Sequence, residues 1–277
     1  MKISEIINEA LKEDISKGDI TSNAVIPKST AVKAEIIAKQ KGIIAGLDVA
    51  KTVFREVDNK IVFIKKVNDG EFVKKGKIIA ELRGNTRAIL SSERVALNFL
   101  QRLSGIATLT YEFVKLAGNV KILDTRKTTP LLRELEKYAV RVGGGYNHRF
   151  NLNDAVLIKD NHIAIAGSVS KVVMLARKTG KKIEVEAKNI KEVKEALDAH
   201  ADTLLLDNMN LREIKKAVEL ARGKAKIEVS GGVNLKNIRK IANVNVDFIS
   251  IGALTHSPKA MDISLEVREL LMENEVN

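Results

Sequence analysis

Hydrophobic residues along the chain follow two rhythms, and the change between them falls near Gly118. Before it, short apolar or alternating runs broken by glycines predict mostly antiparallel strands at 32–38, 42–45, 61–67 and 76–82. Stretches with helical spacing occupy 3–15, 49–57 and a longer segment from Ser91 or Ser92, as N-cap, to about 116. These elements predict an α+β domain at the start of the chain.

After Gly118 the pattern becomes strand then helix, repeated. The candidate strands are 120–123, 155–158, 182–185, 203–206, 226–229 and 248–251. The candidate helices are 131–142, 169–179, 190–199, 211–221 and 235–242, followed by a last one at 263–271. Strands rich in Val, Ile and Leu that alternate with helices are typical of a parallel sheet, here either a barrel or an open wound sheet.

Each candidate strand of the second part is followed by a polar or glycine signature. In strand order these signatures are Asp124-Thr-Arg-Lys, Lys159-Asp-Asn-His, Glu186, Asp207-Asn, Ser230-Gly-Gly and Gly252-Ala. A single such residue is as often a loop or helix cap as a site residue. In a βα-barrel, however, the carboxyl ends of all strands share one rim, so six signatures in phase predict a functional site there.

The region 124–162 carries most of the cationic residues of this predicted rim, together with three consecutive glycines at 143–145. A solvated helix face would explain the charge, but each glycine costs a helix roughly 1 kcal/mol relative to Ala. Two further glycine signatures, at Gly231-Gly232 and Gly252, follow the last two strands. Such glycines leave backbone N–H groups free and let a phosphate approach closely.

Composition narrows the classes of protein. The chain has 277 residues with 45% hydrophobic and 30% charged residues, which is typical of a soluble globular protein. Its net charge of +12 suits an anionic partner. With 4% aromatic residues and no nucleic-acid-binding module, small phosphorylated or carboxylated molecules are favoured over nucleic acid.

The sequence also bears on location and on metals. It has no cysteine, no apolar run long enough to span a membrane and no signal-peptide pattern, so we expect a cytoplasmic protein with no membrane contact. No zinc-type ligand cluster is visible. Glu186 and Asp207 could hold Mg²⁺ through water and substrate phosphate.

Seven segments carry a resemblance to a known family. They are 93–108, 124–130, 137–149, 157–162, 205–208, 230–232 and 249–256. In that order, and across nearly the whole chain, they resemble the quinolinate phosphoribosyltransferases, also called nicotinate-nucleotide pyrophosphorylases (carboxylating). One departure is Leu131, where the family commonly has glycine after Pro130. The cationic residues of the motifs are intact.

This resemblance implies an α/β protein: an incomplete (open) α/β barrel of parallel strands at 109–262 and an N-terminal α+β sandwich domain at 1–108, joined by a C-terminal helix at 263–277. It also implies a homodimer with shared active sites, or a higher homo-oligomer. The implied reaction is the transfer of phosphoribosyl from phosphoribosyl pyrophosphate (PRPP) to quinolinate with decarboxylation. The products are nicotinate mononucleotide, pyrophosphate and CO2, in de novo NAD synthesis, and the implied cofactor is Mg²⁺.

The resemblance further implies roles for individual residues. Positions that match quinolinate-binding residues of the family are Arg94, Arg126, His148, Arg149 and Lys159, with Arg94 supplied by the partner subunit. Positions that match catalytic residues are Lys127, Glu186 and Asp207. Positions that match holders of the 5′-phosphate are Ser230, Gly231, Gly232, Gly252 and His256. The chemistry of these residue types agrees, because a dicarboxylate and a polyphosphate both need Arg and Lys donors.

Three alternatives stay open at this point. The nearest is a paralogue of the same fold, similar to the molybdenum-transport-associated ModD proteins, that uses another acceptor. The segment 68–82 resembles the turn-and-strand pattern of biotinyl and lipoyl carrier domains, which allows a carrier or binding module. A basic nucleic-acid-binding protein is the third.

Overall fold

The computed structural model of the protein describes residues 2–271 of the chain. These residues fold into two compact units. Among these residues, unit 1 comprises 2–109, 129–143 and 258–271, and unit 2 comprises Thr110–Thr128 and Gly144–Ser257. The chain therefore leaves the first unit and returns to it twice.

Unit 1 combines an antiparallel sheet with helices. Its strands are β1 Ala31–Ala38, β2 Gly42–Ile43, β3 Val62–Lys65, β4 Phe72–Val73, β5 Ile78–Asn85 and β12 Ile263–Leu271. Its helices are α1 Ile3–Ile15, α2 Ile20–Val25, α3 Leu47–Val57, most of α4 Thr86–Ala117, and α5 Arg133–Val142. Four strands form one sheet in the order β12-β1-β5-β3, and β2 pairs with β4 in a second. The carrier-like segment 68–82 is thus divided between two sheets.

The core of unit 1 lies on one face of the four-stranded sheet. In β1 every second residue, from Val32 to Ala38, is buried with apolar residues of α1, α3 and α4. Of the residues between them, Lys33 and Glu35 carry charge, and Glu35 pairs with Arg268 across the strands. This alternation is the expected result of a strand that packs on one side only. The α+β fold class predicted for the start of the chain is confirmed.

The C-terminal helix predicted at 263–277 is wrong for the described residues, which form strand β12; residues 272–277 lie outside them. Ile263, Val267 and Leu270 have a spacing that also fits one helix face. Instead, β12 pairs antiparallel along the whole of β1, from Ala31 opposite Leu271 to Ala38 opposite Ile263. It covers backbone groups that would otherwise be an open sheet edge, and this pairing outweighs local helix propensity.

The long helix α4 begins at Thr86, earlier than the predicted N-cap at Ser91 or Ser92. Both serines lie inside the helix and donate their hydroxyls to carbonyls one turn earlier, Ser91 to Arg87 and Ser92 to Ala88. The cap is provided by Asn85, whose side-chain oxygen accepts from the backbone N–H of Ala88 at 3.2 Å. A serine hydroxyl can serve either purpose, so residue type alone did not locate the start.

Unit 2 is a six-stranded parallel sheet with helices between the strands. Its strands are β6 Lys121–Leu123, β7 Val156–Ile158, β8 Ile183–Ala187, β9 Thr203–Asp207, β10 Lys226–Ser230 and β11 Phe248–Ser250. Its helices are α6 Asp160–Ala166, α7 Val169–Arg177, α8 Ile190–Asp198, α9 Leu211–Ala221, α10 Ile238–Ala242 and α11 Ala253–His256. All six predicted strands are present. The short helices α2, α6 and α11 are additional to the sequence predictions.

The strand order of unit 2 is β6-β11-β10-β9-β8-β7. The first strand along the chain thus pairs with the last, as in a barrel, whereas β6 and β7 are not neighbours in the sheet. A single parallel bridge from Leu123 to Tyr146 extends the edge of β6. The fold is therefore the incomplete α/β barrel that the sequence predicts, open between β6 and β7. None of the helices within residues 2–271 is both long and apolar enough to cross a membrane.

Candidate active site

A cavity of about 900 Å³ lies in unit 2 at the carboxyl ends of the parallel strands. All predicted site residues except Arg94 line it: Arg126, Lys127, His148, Arg149, Lys159, Glu186, Asp207, Ser230, Gly231, Gly232, Gly252 and His256. Arg94 is an exposed residue of α4 in unit 1. Because every strand of a barrel ends at the same rim, residues more than a hundred positions apart meet in one cavity.

The loop that carries His148 and Arg149 is held to the end of β6 by Asp124. This fully buried carboxylate accepts from the Asn147 side-chain amide at 2.5 Å and from the His148 backbone N–H at 2.9 Å. Gly144, at φ +86°, gives the loop the left-handed conformation that glycine favours. Of the three consecutive glycines, Gly144 therefore shapes the loop that places two cavity residues.

Two arginines form a cationic wall of the cavity. Burial and the neighbouring charge of Arg126 lower the pKa of Arg149, while Glu184 opposes this shift. The buried Nε atom of Arg126 has no hydrogen-bond partner within the described part of the chain. Two close guanidinium groups with unused donors are suited to an anion such as a carboxylate, which guanidinium binds through paired hydrogen bonds.

Lys159 lies between the cationic and acidic parts of the cavity. Its Nζ donates to Glu186 Oε2 at 2.8 Å. The backbone N–H of Lys159 donates to Nδ1 of His162, which caps the N-terminus of α6 and also lines the cavity. Glu186 in β8 and Asp207 at the end of β9 supply the carboxylates of this region.

The two late glycine signatures form narrow parts of the cavity wall. Gly231 has φ +83°, and a Cβ atom built there would lie 2.3 Å from Asn208 Oδ1. At Gly252 a Cβ would lie 3.0 Å from Lys127 Cδ and 3.1 Å from His256 Cδ2. The hydroxyl of Thr255 donates to the Lys127 carbonyl at 2.8 Å, which joins the ends of β6 and β11. A side chain at Gly231 would displace the Asn208 side chain, and one at Gly252 would make the Lys127 or His256 side chain shift slightly.

Sequence reasoning missed two glutamates beside His148. His148 Nε2 lies 2.9 Å from Glu184 Oε2 and 3.8 Å from Glu228 Oε2. Burial and, next, the nearby charge of Glu184 raise the pKa of Glu228 to about 8. The available signal was the strand period of two, because Glu184 precedes Glu186, and Glu228 precedes Ser230, by two positions on the same strand face.

These three residues are also the described group with the spacing of metal ligands, since their ligand atoms lie within 4.8 Å of one another. A metal needs deprotonated ligands, and the raised pKa of Glu228 leaves this carboxyl protonated near neutral pH. In the structure described here the group therefore holds a proton on Glu228. Glu186 and Asp207 are hard oxygen donors of the kind Mg²⁺ prefers, although Lys159 is already paired with Glu186.

Fold and site together define a class of protein: an open parallel α/β barrel whose strand ends form a cationic cavity for anionic substrates, with carboxylates beside it. The sequence matches the family patterns "Quinolinate phosphoribosyl transferase, N-terminal domain" over residues 19–104 and "Quinolinate phosphoribosyl transferase, C-terminal domain" over residues 106–266. The chain belongs to the quinolinate phosphoribosyltransferase family.

Proteins similar in sequence and structure match this chain over almost its whole length. The chain is 47% identical to a probable nicotinate-nucleotide pyrophosphorylase (carboxylating) of Methanocaldococcus jannaschii, covering 95% of this chain and 96% of the relative. It is 44% identical to the protein of the same name from Bacillus subtilis, covering 96% and 94%. The crystal structure of nicotinate-nucleotide pyrophosphorylase from Ehrlichia chaffeensis superposes with a TM-score of 0.93 at 42% identity, covering 97% and 99%.

Proposed function

We propose that this protein is a pentosyltransferase that transfers the phosphoribosyl group of PRPP to quinolinate and decarboxylates the product. The reaction yields nicotinate mononucleotide, pyrophosphate and CO2, and it belongs to NAD synthesis. The observation that carries this proposal is that one cavity contains both a cationic wall and a carboxylate pair. The names of the full-length relatives support the same reaction.

The acceptor is assigned to the cationic end of the cavity. Quinolinate carries two carboxylates, and Arg126, Arg149, His148 and Lys159 offer the donors that a dianion requires when water is excluded. Nicotinate has one carboxylate fewer and leaves part of this wall without a partner. We therefore expect a strong preference for the dicarboxylate.

PRPP is assigned to the acidic and glycine-lined parts. As the bond from C1′ to pyrophosphate breaks, positive charge develops on the ribose, and Glu186 and Asp207 are placed to stabilise it. Ser230, Gly231, Gly232, Gly252 and His256 are the residues we assign to the 5′-phosphate. Lys127 lies beside Gly252, one of the residues assigned to the 5′-phosphate. We assign its ammonium group to stabilise negative charge on the reacting groups.

Decarboxylation follows ribosylation in this scheme. The ring nitrogen of quinolinate forms the bond to C1′ while pyrophosphate leaves, which makes the ring a cation. The bond from C2 to its carboxylate then breaks, CO2 leaves, and the electron pair stays on C2, where the positive ring stabilises it. A proton from the surroundings replaces CO2 and completes nicotinate mononucleotide.

We assign Mg²⁺ to Glu186 and Asp207 together with substrate phosphates, where it would neutralise the charge of the departing pyrophosphate. Lys159 donates to Oε2 of Glu186, so a cation would be held through the other oxygen of this carboxylate. We also propose a homodimer in which the partner's Arg94 completes the acceptor site. The lack of cysteine supports a cytoplasmic location.

An assay of the purified protein with quinolinate, PRPP and Mg²⁺ tests the proposal. We expect nicotinate mononucleotide and CO2 in equal amounts, and little product when nicotinate replaces quinolinate. Absence of nicotinate mononucleotide, or equal use of nicotinate, would refute the assignment and favour a paralogue with another acceptor.

Two substitutions test the catalytic assignments. Lys127→Ala and Glu186→Ala should each lower kcat by at least about a hundredfold, because each removes charge stabilisation at the reacting groups. Matched controls are Lys191→Ala and Glu219→Ala, which remove the same charges from exposed positions of α8 and α9. Circular dichroism checks that each variant is folded. Normal turnover by either test variant would remove that residue from the mechanism.

A further inference from the structure

Glu184 and Glu228 have no part in the reaction described above, although both contact His148. The side chains of His148, Glu184 and Glu228 are only 15%, 12% and 3% exposed. The imidazole Nε2 is within hydrogen-bond distance of Glu184 and slightly farther from Glu228. This arrangement needs a reason, since two adjacent buried carboxylates are costly.

Charge accounts for the arrangement. A carboxylate at 2.9 Å in a region with little water favours the protonated, cationic form of histidine. Glu184 also acts as the opposite charge for Arg149. Arg126 lines the same cavity as His148, and Asp124 accepts a hydrogen bond from the His148 backbone N–H.

Only one of the two glutamates needs to be charged at neutral pH. The pKa of Glu228 is raised to about 8 by burial and by Glu184, so Glu228 keeps its proton. The Oε1 atoms of both glutamates are buried and find no hydrogen-bond partner among residues 2–271, which disfavours two ionised groups side by side. One anion, Glu184, then faces the cation of His148.

Building on the proposed function, we propose that Glu184 is a positioning residue for the acceptor: its carboxylate keeps His148 cationic at the acceptor end of the cavity, while Glu228 packs beside the pair as a neutral acid. A cationic His148 attracts a dicarboxylate, and neutral imidazole does not. Quinolinate binding should therefore weaken as pH rises through the titration of His148. Without the Glu184 carboxylate this loss should occur at lower pH.

Nuclear magnetic resonance of the imidazole groups tests the charge directly, because the chain has four histidines. The signals of His148 are identified by their loss in His148→Asn. We expect His148 in the unmodified protein to stay protonated well above the usual midpoint of about 6.5. In Glu184→Gln the midpoint should fall by at least about one pH unit, whereas Glu228→Gln, which mimics the neutral acid, should leave His148 cationic at pH 7.

The exposed Glu219→Gln removes the same charge as a control and should leave the titration of His148 unchanged. A His148 midpoint near 6.5 in the unmodified protein overturns the inference, and this measurement needs only a folded His148→Asn protein for the assignment of the signals. An unchanged midpoint in folded Glu184→Gln overturns it as well. So does loss of the His148 titration on addition of one equivalent of Zn²⁺, because an imidazole nitrogen that binds a metal no longer takes up a proton.

Binding and kinetics test the consequence for the acceptor. Glu184→Gln should raise the Kd and KM for quinolinate about tenfold at pH 7.5 and should change kcat less. At pH 6 its Kd and KM should approach those of the unmodified protein. A pH-independent loss would indicate a purely structural role and overturn the inference. Normal turnover without any His148 shift refutes only this inference. A shift without turnover on quinolinate refutes the proposed function and, with it, the role of Glu184 in acceptor binding.

Discussion

At Gly231 both the backbone conformation and the neighbouring side chain favour glycine. Its backbone is left-handed, and the amide side chain of Asn208 occupies the place where a Cβ would lie. Gly223 has a similar φ of +74°, but a Cβ there would meet nothing within 4 Å. Both glycines have the left-handed backbone that glycine favours, but only Gly231 has a side chain, that of Asn208, at the position of a Cβ.

We predict that Gly231→Ala will be more damaging than Gly223→Ala. Both substitutions should cost about 1 kcal/mol or more of unfolding free energy through left-handed strain. Gly231→Ala should add a further loss by displacing Asn208, and it should raise the KM for PRPP severalfold, because the altered turn lines the proposed phosphate site. Urea unfolding and steady-state kinetics measure the two effects. Equal results for both variants would contradict this role of Gly231.

At the scale of elements, helix α5 is attached to α4 within unit 1 by a buried ion pair. Glu136 is fully buried and accepts from Arg102 at 2.7 and 3.2 Å. Its second oxygen accepts from the backbone N–H of Thr129 at 3.1 Å. One carboxylate thus joins two helices and the chain segment that leads into α5.

We predict that Glu136→Gln destabilises the fold by about 2–4 kcal/mol, because it leaves Arg102 without its counter-charge and turns a carboxylate that only accepts into an amide that must also donate. The double variant Arg102→Met, Glu136→Leu should lose less unfolding free energy, since both charges of the pair are removed together. Urea denaturation measures both. Glu195→Gln, in a loose surface pair at 3.9 Å, is the control and should change stability by under about 0.5 kcal/mol. A Glu136→Gln protein as stable as this control would show that the pair contributes nothing.

At the scale of the whole molecule, Arg94 is the one predicted site residue that does not line the cavity of its own chain. It is exposed on α4, where another copy of the chain could use it. The proposed dimer assigns it to the acceptor site of the partner. Each site would then combine the cavity of one chain with an arginine of the other.

We predict that Arg94→Ala and Lys127→Ala proteins, each nearly inactive, regain activity when mixed. In a mixed dimer one site has an intact cavity and receives the intact Arg94 of the partner subunit, so statistical mixing should restore up to about a quarter of normal activity. Mass spectrometry of the intact complexes verifies that mixed dimers form. If they form and no activity returns at any ratio, the sites are not shared.

Much of this architecture can be predicted from local sequence patterns. The six barrel strands and the helices after them follow from hydrophobic spacing, which reflects which side of an element meets the core. The cavity residues follow from their positions after those strands, because parallel strands end at a common rim. The motifs at 124–130 and 230–232 need no distant neighbour to be recognised, so sequence alone was sufficient for the fold class and for most residues that line the cavity.

Tertiary structure decided what depends on distant neighbours. Residues 263–271 have a helical spacing and yet form β12, because the open edge of β1 offers backbone partners that no local pattern reveals. Glu184 and Glu228 are ordinary strand residues in the sequence, and only the tertiary structure sets Glu184 2.9 Å from the His148 imidazole and raises the pKa of the buried Glu228. Local patterns therefore determined the strands and the residues that follow them, and long-range packing determined the surroundings of these glutamates and the path of the chain that returns to unit 1.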